Sequence, residues 1–277
     1  MERHPLDSRP YETIEAQIGY LVDTDEKPSF FHSYEPGVPT QHTGTRELRP
    51  MPVRNGRTMD ESFTLARNGF CVVAHKSAVR DFYDDAQLRD IYDREVEALV
   101  KEKMGATRVI VFDHTRRSSE QSLRAERNSR EPASVAHTDY TDWSAAKRLG
   151  EIAPEADPKK RFAIVNVWRP ISQGPCECWP LALCDGRAVD TSYMRAVQRR
   201  TVDRVGESRH STFDARHRWI YFPRMTRDEA IILKNYDTID DGQTAKLALH
   251  VSFDDPTSPP DARPRESIET RTFVFFD

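Results

Sequence analysis

Apolar residues along this chain fall mostly in short runs of strand length, and only one stretch keeps a helical period over several turns. In residues 85–104, Leu88, Ile91, Tyr92, Val96, Leu99 and Val100 recur at three- and four-residue steps, and Gly105 follows as a stop. That spacing predicts an amphipathic helix. A short helix is predicted over 61–68, stopped by Gly69, with a strand following from Phe70 to His75. Further strands are predicted over 109–114, over 161–170 (closed by Pro170), over 179–185 (ending in an Asp185-Gly186 turn), over 218–223 and over 230–236. Thr226, with Glu229 three residues on, carries a helix-start signature. Residues 246–253 give the clearest alternation: Leu247, Leu249, Val251 and Phe253 share one face, and Ala248, His250 and Ser252 the other. A last strand is predicted over 264–276. Many strands with few helices predict a mainly β protein with flanking helices (α+β), built as a barrel or double-sheet jelly roll.

Other stretches have little period. Residues 1–57 read as an N-terminal arm, irregular except for a possible strand from Ile18 to Val22 and for Phe30 and Phe31 packing on the body. His4, His32 and His42 are expected to be solvated there. The main domain is then residues 58–277. Residues 115–134 form a polar loop with five arginines, which is either a solvated connection or a lid whose arginines meet an acidic substrate. The charged connection 145–160 is predicted to be partly helical. Residues 186–216 are polar and Arg-rich, and His210 and His217 are expected on the surface.

Composition narrows the class. The chain has 277 residues, 37% hydrophobic and 31% charged, with a net charge of −4, as expected for a soluble globular protein able to bury a substantial core. A negative total and the lack of an aromatic–basic stripe argue against nucleic acid. With no apolar run of membrane-spanning length and no apolar leader at the N-terminus, a cytoplasmic protein is expected. Cys176-x-Cys178 is too tight for a zinc knuckle, so Cys71, Cys176, Cys178 and Cys184 are expected as free thiols.

The candidate chemistry starts at His137-Thr138-Asp139. In an extended strand His137 and Asp139 point the same way, which leaves a third ligand to come from elsewhere. His250, flanked on its face by Ala248 and Ser252, suits the wall of a cavity. A 2-His-1-carboxylate face with open positions is the usual ligand set of non-haem Fe(II) oxygenases. It also suits a catalytic zinc in a hydrolase. If His250 is only a buried core residue, the chain is a silent binding or accessory barrel. Asn166 lies between Ile164 and Trp168 on one strand face, and must bond to a loop or to a ligand if buried. Arg265 and Arg271 share a face of the last strand. A straight strand separates them by roughly 20 Å, so one of them can grip a small diacid through its planar fork. Otherwise both are surface residues paired with Glu266 and Glu269.

His137-Thr-Asp139, Asn166-Val-Trp-Arg-Pro170, Pro180-Leu-Ala-Leu-Cys-Asp185, His250 and Arg265-Glu-Ser-Ile-Glu-Thr-Arg271 together resemble the hydroxylase/desaturase family of fungal and bacterial secondary metabolism. The resemblance runs from about Phe70 to the C-terminus. It implies a double-stranded β-helix (jelly-roll, cupin-like) fold and chemistry with Fe(II), 2-oxoglutarate and O2 on a small organic substrate, ending in hydroxylation or desaturation. It also implies His137, Asp139 and His250 as iron ligands and Arg265 as the likeliest anchor for 2-oxoglutarate. Arg265-x-Ser267 is similar to the Arg-x-Ser signature of plant-type 2-oxoglutarate oxygenases, and Arg265-x5-Arg271 to the paired arginines of AlkB-type demethylases. Asn166 is a further candidate for the co-substrate, and Trp168 and Tyr140 for the substrate. The separation of His137 from His250 is longer than in the plant-type enzymes. Substrate identity and oligomeric state stay open.

Overall fold

The computed structural model describes residues 12–31, 38 and 40–276; His4 and His32 lie outside them. In chain order the first strands are β1 (Thr13–Leu21), β2 (Ser29–Phe31), β3 (Gln41–His42), β4 (Arg46–Asn55) and β5 (Phe70–Ala74). Helices α1 (Asp85–Gln87) and α2 (Asp93–Met104) follow, joined through a π-helical turn at Leu88–Tyr92, then β6 (Arg108–Ser118), α3 (Gln121–Arg127), β7 (His137–Thr138) and α4 (Asp142–Ile152). The rest is β8 (Phe162–Pro170), β9 (Leu181–Cys184), β10 (Met194–Arg200), β11 (Val205–Ser211), β12 (Trp219–Tyr221), β13 (Glu229–Asp237), β14 (His250–Ser252) and β15 (Glu266–Phe275).

The strands form a large sheet, ordered β1-β4-β12-β9-β14-β7-β11-β10-β2-β3, and a smaller one, ordered β5-β13-β8-β15-β6. Strand β8 shows how they face each other. Its outward residues Ala163, Val165 and Val167 pack with Val96, Leu99 and Val100 of α2. Its inward residue Trp168 joins Leu183 and Ile220 of the large sheet, and Ile164 joins Leu149 of α4 and Phe273 of β15. Each buried Val, Leu, Ile or Phe among them contributes about 1.5–3 kcal/mol. Asn166 is the inward residue between these two apolar plugs. The polar centre of the jelly roll is therefore flanked by hydrophobic packing at both ends.

The helix expected over 85–104 is present. Asp84 caps it by accepting from the Ala86 and Gln87 amides, and Gly105 ends it with a left-handed φ of 61°. Five expectations need correction. Residues 61–68 hold only a turn at 65–68, because Asn68 Oδ1 accepts from Thr64 N (3.0 Å) while Asn68 N donates to Thr64 O (2.8 Å), closing a single turn. The bond typical of a helix start does form, from Thr226 N to Glu229 (3.0 Å). It leads instead into β13, whose pairing with β5 and β8 overrides the local signal. Residues 186–216 contain the β10–β11 hairpin; its inward positions Gly206, Ser208 and His210 are small or polar, which hid the alternation. Both His210 and His217 are buried. The four residues Thr115 to Ser118 are the end of β6, paired to β15, so the polar loop is shorter than expected.

The N-terminal stretch is less irregular than its composition suggests. Strand β1 buries Ile14, Ala16, Ile18 and Tyr20 and turns Glu15 and Gln17 outward. It pairs with β4, and β4 pairs with β12 of the large sheet. Gly19 O accepts from Ala136 N at 2.8 Å. A Cβ on Gly19 would stand 2.0 Å from Ser134 O, so only glycine lets β1 support the segment that leads into His137.

Candidate metal centre and the cavity above it

Strand β7 lies between β11 and β14, which sets His137 directly opposite both His210 and His250. The rings of His137 and His250 are 4.2 Å apart, centroid to centroid. His137, Asp139 and His250 are all buried, and each points one ligand atom to within 4.8 Å of the others. One face thus gathers two imidazoles and a carboxylate.

The surroundings fix which atoms are free. His137 Nδ1 is 2.7 Å from Val135 O, so that nitrogen carries the proton and donates, leaving the Nε2 lone pair turned to Asp139 Oδ1 at 3.6 Å. Asp139 Oδ2 accepts from Arg271 Nε (2.8 Å) and from Asn166 Nδ2 (2.9 Å). Oδ1 remains as the ligand oxygen of a monodentate carboxylate. Neither ring nitrogen of His250 makes a well-formed hydrogen bond, although the Ala248 carbonyl acts on the ring; at least one nitrogen is left without a protein partner, an unfavourable state for a buried polar group unless something else binds there. Burial pushes the Asp139 carboxyl up, but the Arg271 guanidinium beside it outweighs this and holds the carboxyl well below its ordinary range. Burial, then the neighbouring His137, lowers His250 to about 3, so its ring is neutral near pH 7. A neutral His250 imidazole and an ionised Asp139 carboxylate are in the states that bind a divalent cation. The donor set fits iron.

A scaffold holds the carboxylate in place. Asp139 N donates to Asn235 Oδ1 (2.8 Å), and Thr138 Oγ1 donates to Asn235 O (2.8 Å). Asn235 sits at the irregularity in the pairing of β13 with β8. Arg271 Nη1 also bonds Asp113 (2.7 Å) and Thr115 (2.7 Å), and Arg271 Nη2 lies 3.0 Å from Glu269. Asn166 Nδ2 donates to Glu269 as well. Burial raises Glu269, with Arg271 pulling it down and Asp139 adding to the rise.

The two arginines of the last strand have separate surroundings. Both are buried, so the surface alternative fails. Arg271 is neutralised by Asp139, Asp113 and Glu269. Arg265 instead meets neutral acceptors: Ser267 Oγ (3.1 and 3.0 Å), Trp179 O (2.7 Å) and Ser252 Oγ. It lies over the Trp168 ring at 5.2 Å. Ser252 is two residues from His250, on the same face of β14, about 7 Å along the strand. Burial lowers Arg265 to about 10, and the Trp168 indole N–H beside it has no acceptor.

A cavity of about 120 Å³ opens onto His137, Asp139, His210 and Arg271. Arg117 and Arg130, both from the stretch expected as an arginine-rich loop, line it, as does Arg199 of β10. Tyr140 is not in its wall; it is buried beside α4 and reaches the cavity through Arg199, whose guanidinium lies 5.7 Å from the ring. His42, expected to be solvated, lies on the cavity rim. Sequence reasoning missed Asn235, Glu269 and His210 as parts of the site. Asn235 follows the signal that singled out Asn166, an amide inside an apolar strand. His210 follows the one that singled out His250, since Gly206 and Ser208 flank it on its face.

A buried His-Asp-His face inside a jelly roll, opening onto one cavity, defines a mononuclear metal oxygenase site. A protein-family model described as Oxidoreductase/YMDC permease-like domain matches residues 18–275. Hydroxylase/desaturase CTB9 of Cercospora beticola is 33% identical over 256 residues, covering 83% of this chain and 78% of that protein. The Fe(II)/2-oxoglutarate-dependent dioxygenase nvfI of Aspergillus novofumigatus is 29% identical over 267 residues, 91% of this chain and 93% of that one. A solved structure of the iron and alpha-ketoglutarate-dependent endoperoxidase NvfI superposes with a TM-score of 0.82 at 27% identity, covering 96% of this chain and 98% of the other. The chain belongs to the hydroxylase/desaturase family of Fe(II)/2-oxoglutarate-dependent oxygenases. Among the described residues, no helix is long and apolar enough to cross a membrane.

Proposed function

We propose that this enzyme holds one Fe(II) on His137, Asp139 and His250 and uses 2-oxoglutarate and O2 to hydroxylate or desaturate a small organic substrate in natural-product biosynthesis. The observation that carries this reading is the free ligand set: His250 with a ring nitrogen that no protein group bonds, His137 with its Nε2 lone pair inward, and Asp139 with one oxygen free. When bound, iron and 2-oxoglutarate supply the oxidising chemistry, and the protein supplies position and exclusion of water.

The residues divide that work. Arg271 and Asn166 hold the Asp139 carboxylate in one orientation and leave Oδ1 for the metal, while Asn235 fixes the backbone that carries it. Arg265 and Ser267 hold the far carboxylate of 2-oxoglutarate. Arg265 suits this because it is a buried cation with only neutral acceptors, whereas Arg271 is already matched by three carboxylates. The unpaired Trp168 N–H adds a donor at the same place, which moves Trp168 from the substrate to the co-substrate. Tyr140 acts on the substrate only by placing Arg199.

The test is succinate formation from 2-oxoglutarate with added Fe(II), in air and under argon. Formation in air alone, abolished in His250→Ala, is expected. A hydrolytic activity that persists under argon and needs no 2-oxoglutarate would point to the same triad holding zinc.

A further inference from the structure

We propose, on the basis of the oxygenase reading, that the substrate is an organic acid and that Arg117, Arg130 and Arg199 bind its carboxylate in the cavity beside the metal ligands. These arginines come from three separate segments, β6, the loop after α3, and β10, and converge on one cavity wall, with Arg46 at the rim. The ion pairs of this region belong to Arg271, which Asp139, Asp113 and Glu269 neutralise. Arg46, Arg117, Arg130 and Arg199 form no ion pair among the described residues. Arg117 donates to a backbone carbonyl, Glu131 O, at 2.7 Å, and Arg199 faces the Tyr140 ring. Among the described residues Glu131 is the further carboxylate in the wall, and Asp113 behind it acts on Arg130 and Arg199 while bonded to Arg271, so the four guanidinium charges are only partly balanced.

Like charges crowded into a half-buried cavity repel one another, and a bound anion relieves that repulsion. Burial, with Arg117 and Arg271 adjacent, lowers Arg130 to about 10, which agrees with a crowded cationic wall. The rest of the wall gives an apolar seat for the acid's carbon skeleton through Phe30, Pro132 and Val135.

The co-substrate is also an acid, but its anchor is elsewhere. Arg265 and its partners Ser252, Ser267 and Trp179 share no residue with the cavity wall. The protein therefore has two cationic places, one for the five-carbon diacid and one for a second acid. This accounts for arginines that the metal chemistry does not use.

The test compares benzoate with benzamide, flat molecules alike except for the charge. Binding is measured by calorimetry on the full-length protein, and 2-oxoglutarate is titrated separately into the anaerobic Fe(II) protein through its visible charge-transfer band. Benzoate is expected to bind at least about tenfold tighter than benzamide, and that preference should vanish in the Arg130→Gln/Arg199→Gln double variant, which leaves 2-oxoglutarate affinity within about threefold. Added salt should weaken benzoate alone. Equal binding of the two compounds, or none of either, overturns the proposal, and the wild-type protein is enough for that comparison. If the double variant instead loses 2-oxoglutarate and benzoate competes with it, the arginines serve the co-substrate and the proposal fails. A benzoate preference without any charge-transfer band would support the acid site and refute the oxygenase reading beneath it.

Discussion

Replacing Arg265 by methionine separates the two arginines of the last strand. Its guanidinium makes four hydrogen-bonding contacts, all to neutral groups, and no carboxylate pairs with it among the described residues. A carboxylate delivered by 2-oxoglutarate would complete a buried, hydrogen-bonded charge pair. Removing one partner of such a pair costs about 2–5 kcal/mol. At about 1.4 kcal/mol per tenfold, that is roughly a 30- to 4000-fold rise in the Kd for 2-oxoglutarate. Part of the guanidinium's bonding stays with Ser267, Ser252 and Trp179, so the lower end is expected. The assay is anaerobic titration of the Fe(II) protein with 2-oxoglutarate, followed by its charge-transfer band, with thermal unfolding to show that the variant remains folded. Arg271→Met is the contrast. Arg271 touches Asp139 Oδ2, so its loss should weaken iron and, at saturating iron, leave 2-oxoglutarate affinity nearly unchanged. A folded Arg265→Met protein with a Kd within threefold of wild type would refute this reasoning, as would Arg271→Met taking the larger loss.

Asn166→Leu removes a donor from Asp139 Oδ2; iron affinity measured by metal titration should fall about 10–100-fold. Gly19→Ala forces a Cβ against Ser134 O, so chemical denaturation should show about 1–3 kcal/mol of lost stability, accompanied by weaker iron binding. Stability should also fall in mild acid because of His217. Burial, modified by Asp214 and Arg216, lowers it to about 4 from 6.5, and Tyr20 OH donates to its unprotonated Nδ1 at 3.1 Å. Between pH 6.5 and 4 the unfolded chain takes up a proton that the folded one refuses. Stability therefore drops by up to about 3 kcal/mol across that window and levels off below it. His217→Gln should remove that share of the acid loss in urea titrations, while the buried His250 and His210, whose protonation burial also disfavours, keep the rest.

The parts of the site legible in the sequence were those where polarity breaks an apolar alternation. His250 stands between Ala248 and Ser252 opposite an apolar face, and Asn166 between Ile164 and Trp168; both face the polar centre of the barrel. His137 and Asp139 share a face by strand period, although β7 itself covers only His137–Thr138. The β10–β11 hairpin was not legible, because a strand lining a polar cavity has no apolar face on that side to give it a period. Strand β4 was hidden for a different reason: its prolines and arginines face outward, and only its partners in the large sheet define it. Strand β1 was expected only from Ile18 onward, although Ile14 and Ala16 already alternate with Glu15 and Gln17. The division of labour between Arg265 and Arg271 could not be read from spacing. It depends on Asp113 of β6, Ser252 of β14 and Asp139 just after β7, which come from elsewhere in the chain.

The most direct measurement is an Fe(II) titration of the anaerobic protein in the presence of 2-oxoglutarate, on wild type and Asp139→Ala. One iron per chain with the charge-transfer band in wild type, and no band in a folded Asp139→Ala protein, is the result this account requires. A band of undiminished intensity in Asp139→Ala would contradict it, since the co-substrate would then be chelated by a metal that His137, Asp139 and His250 do not hold.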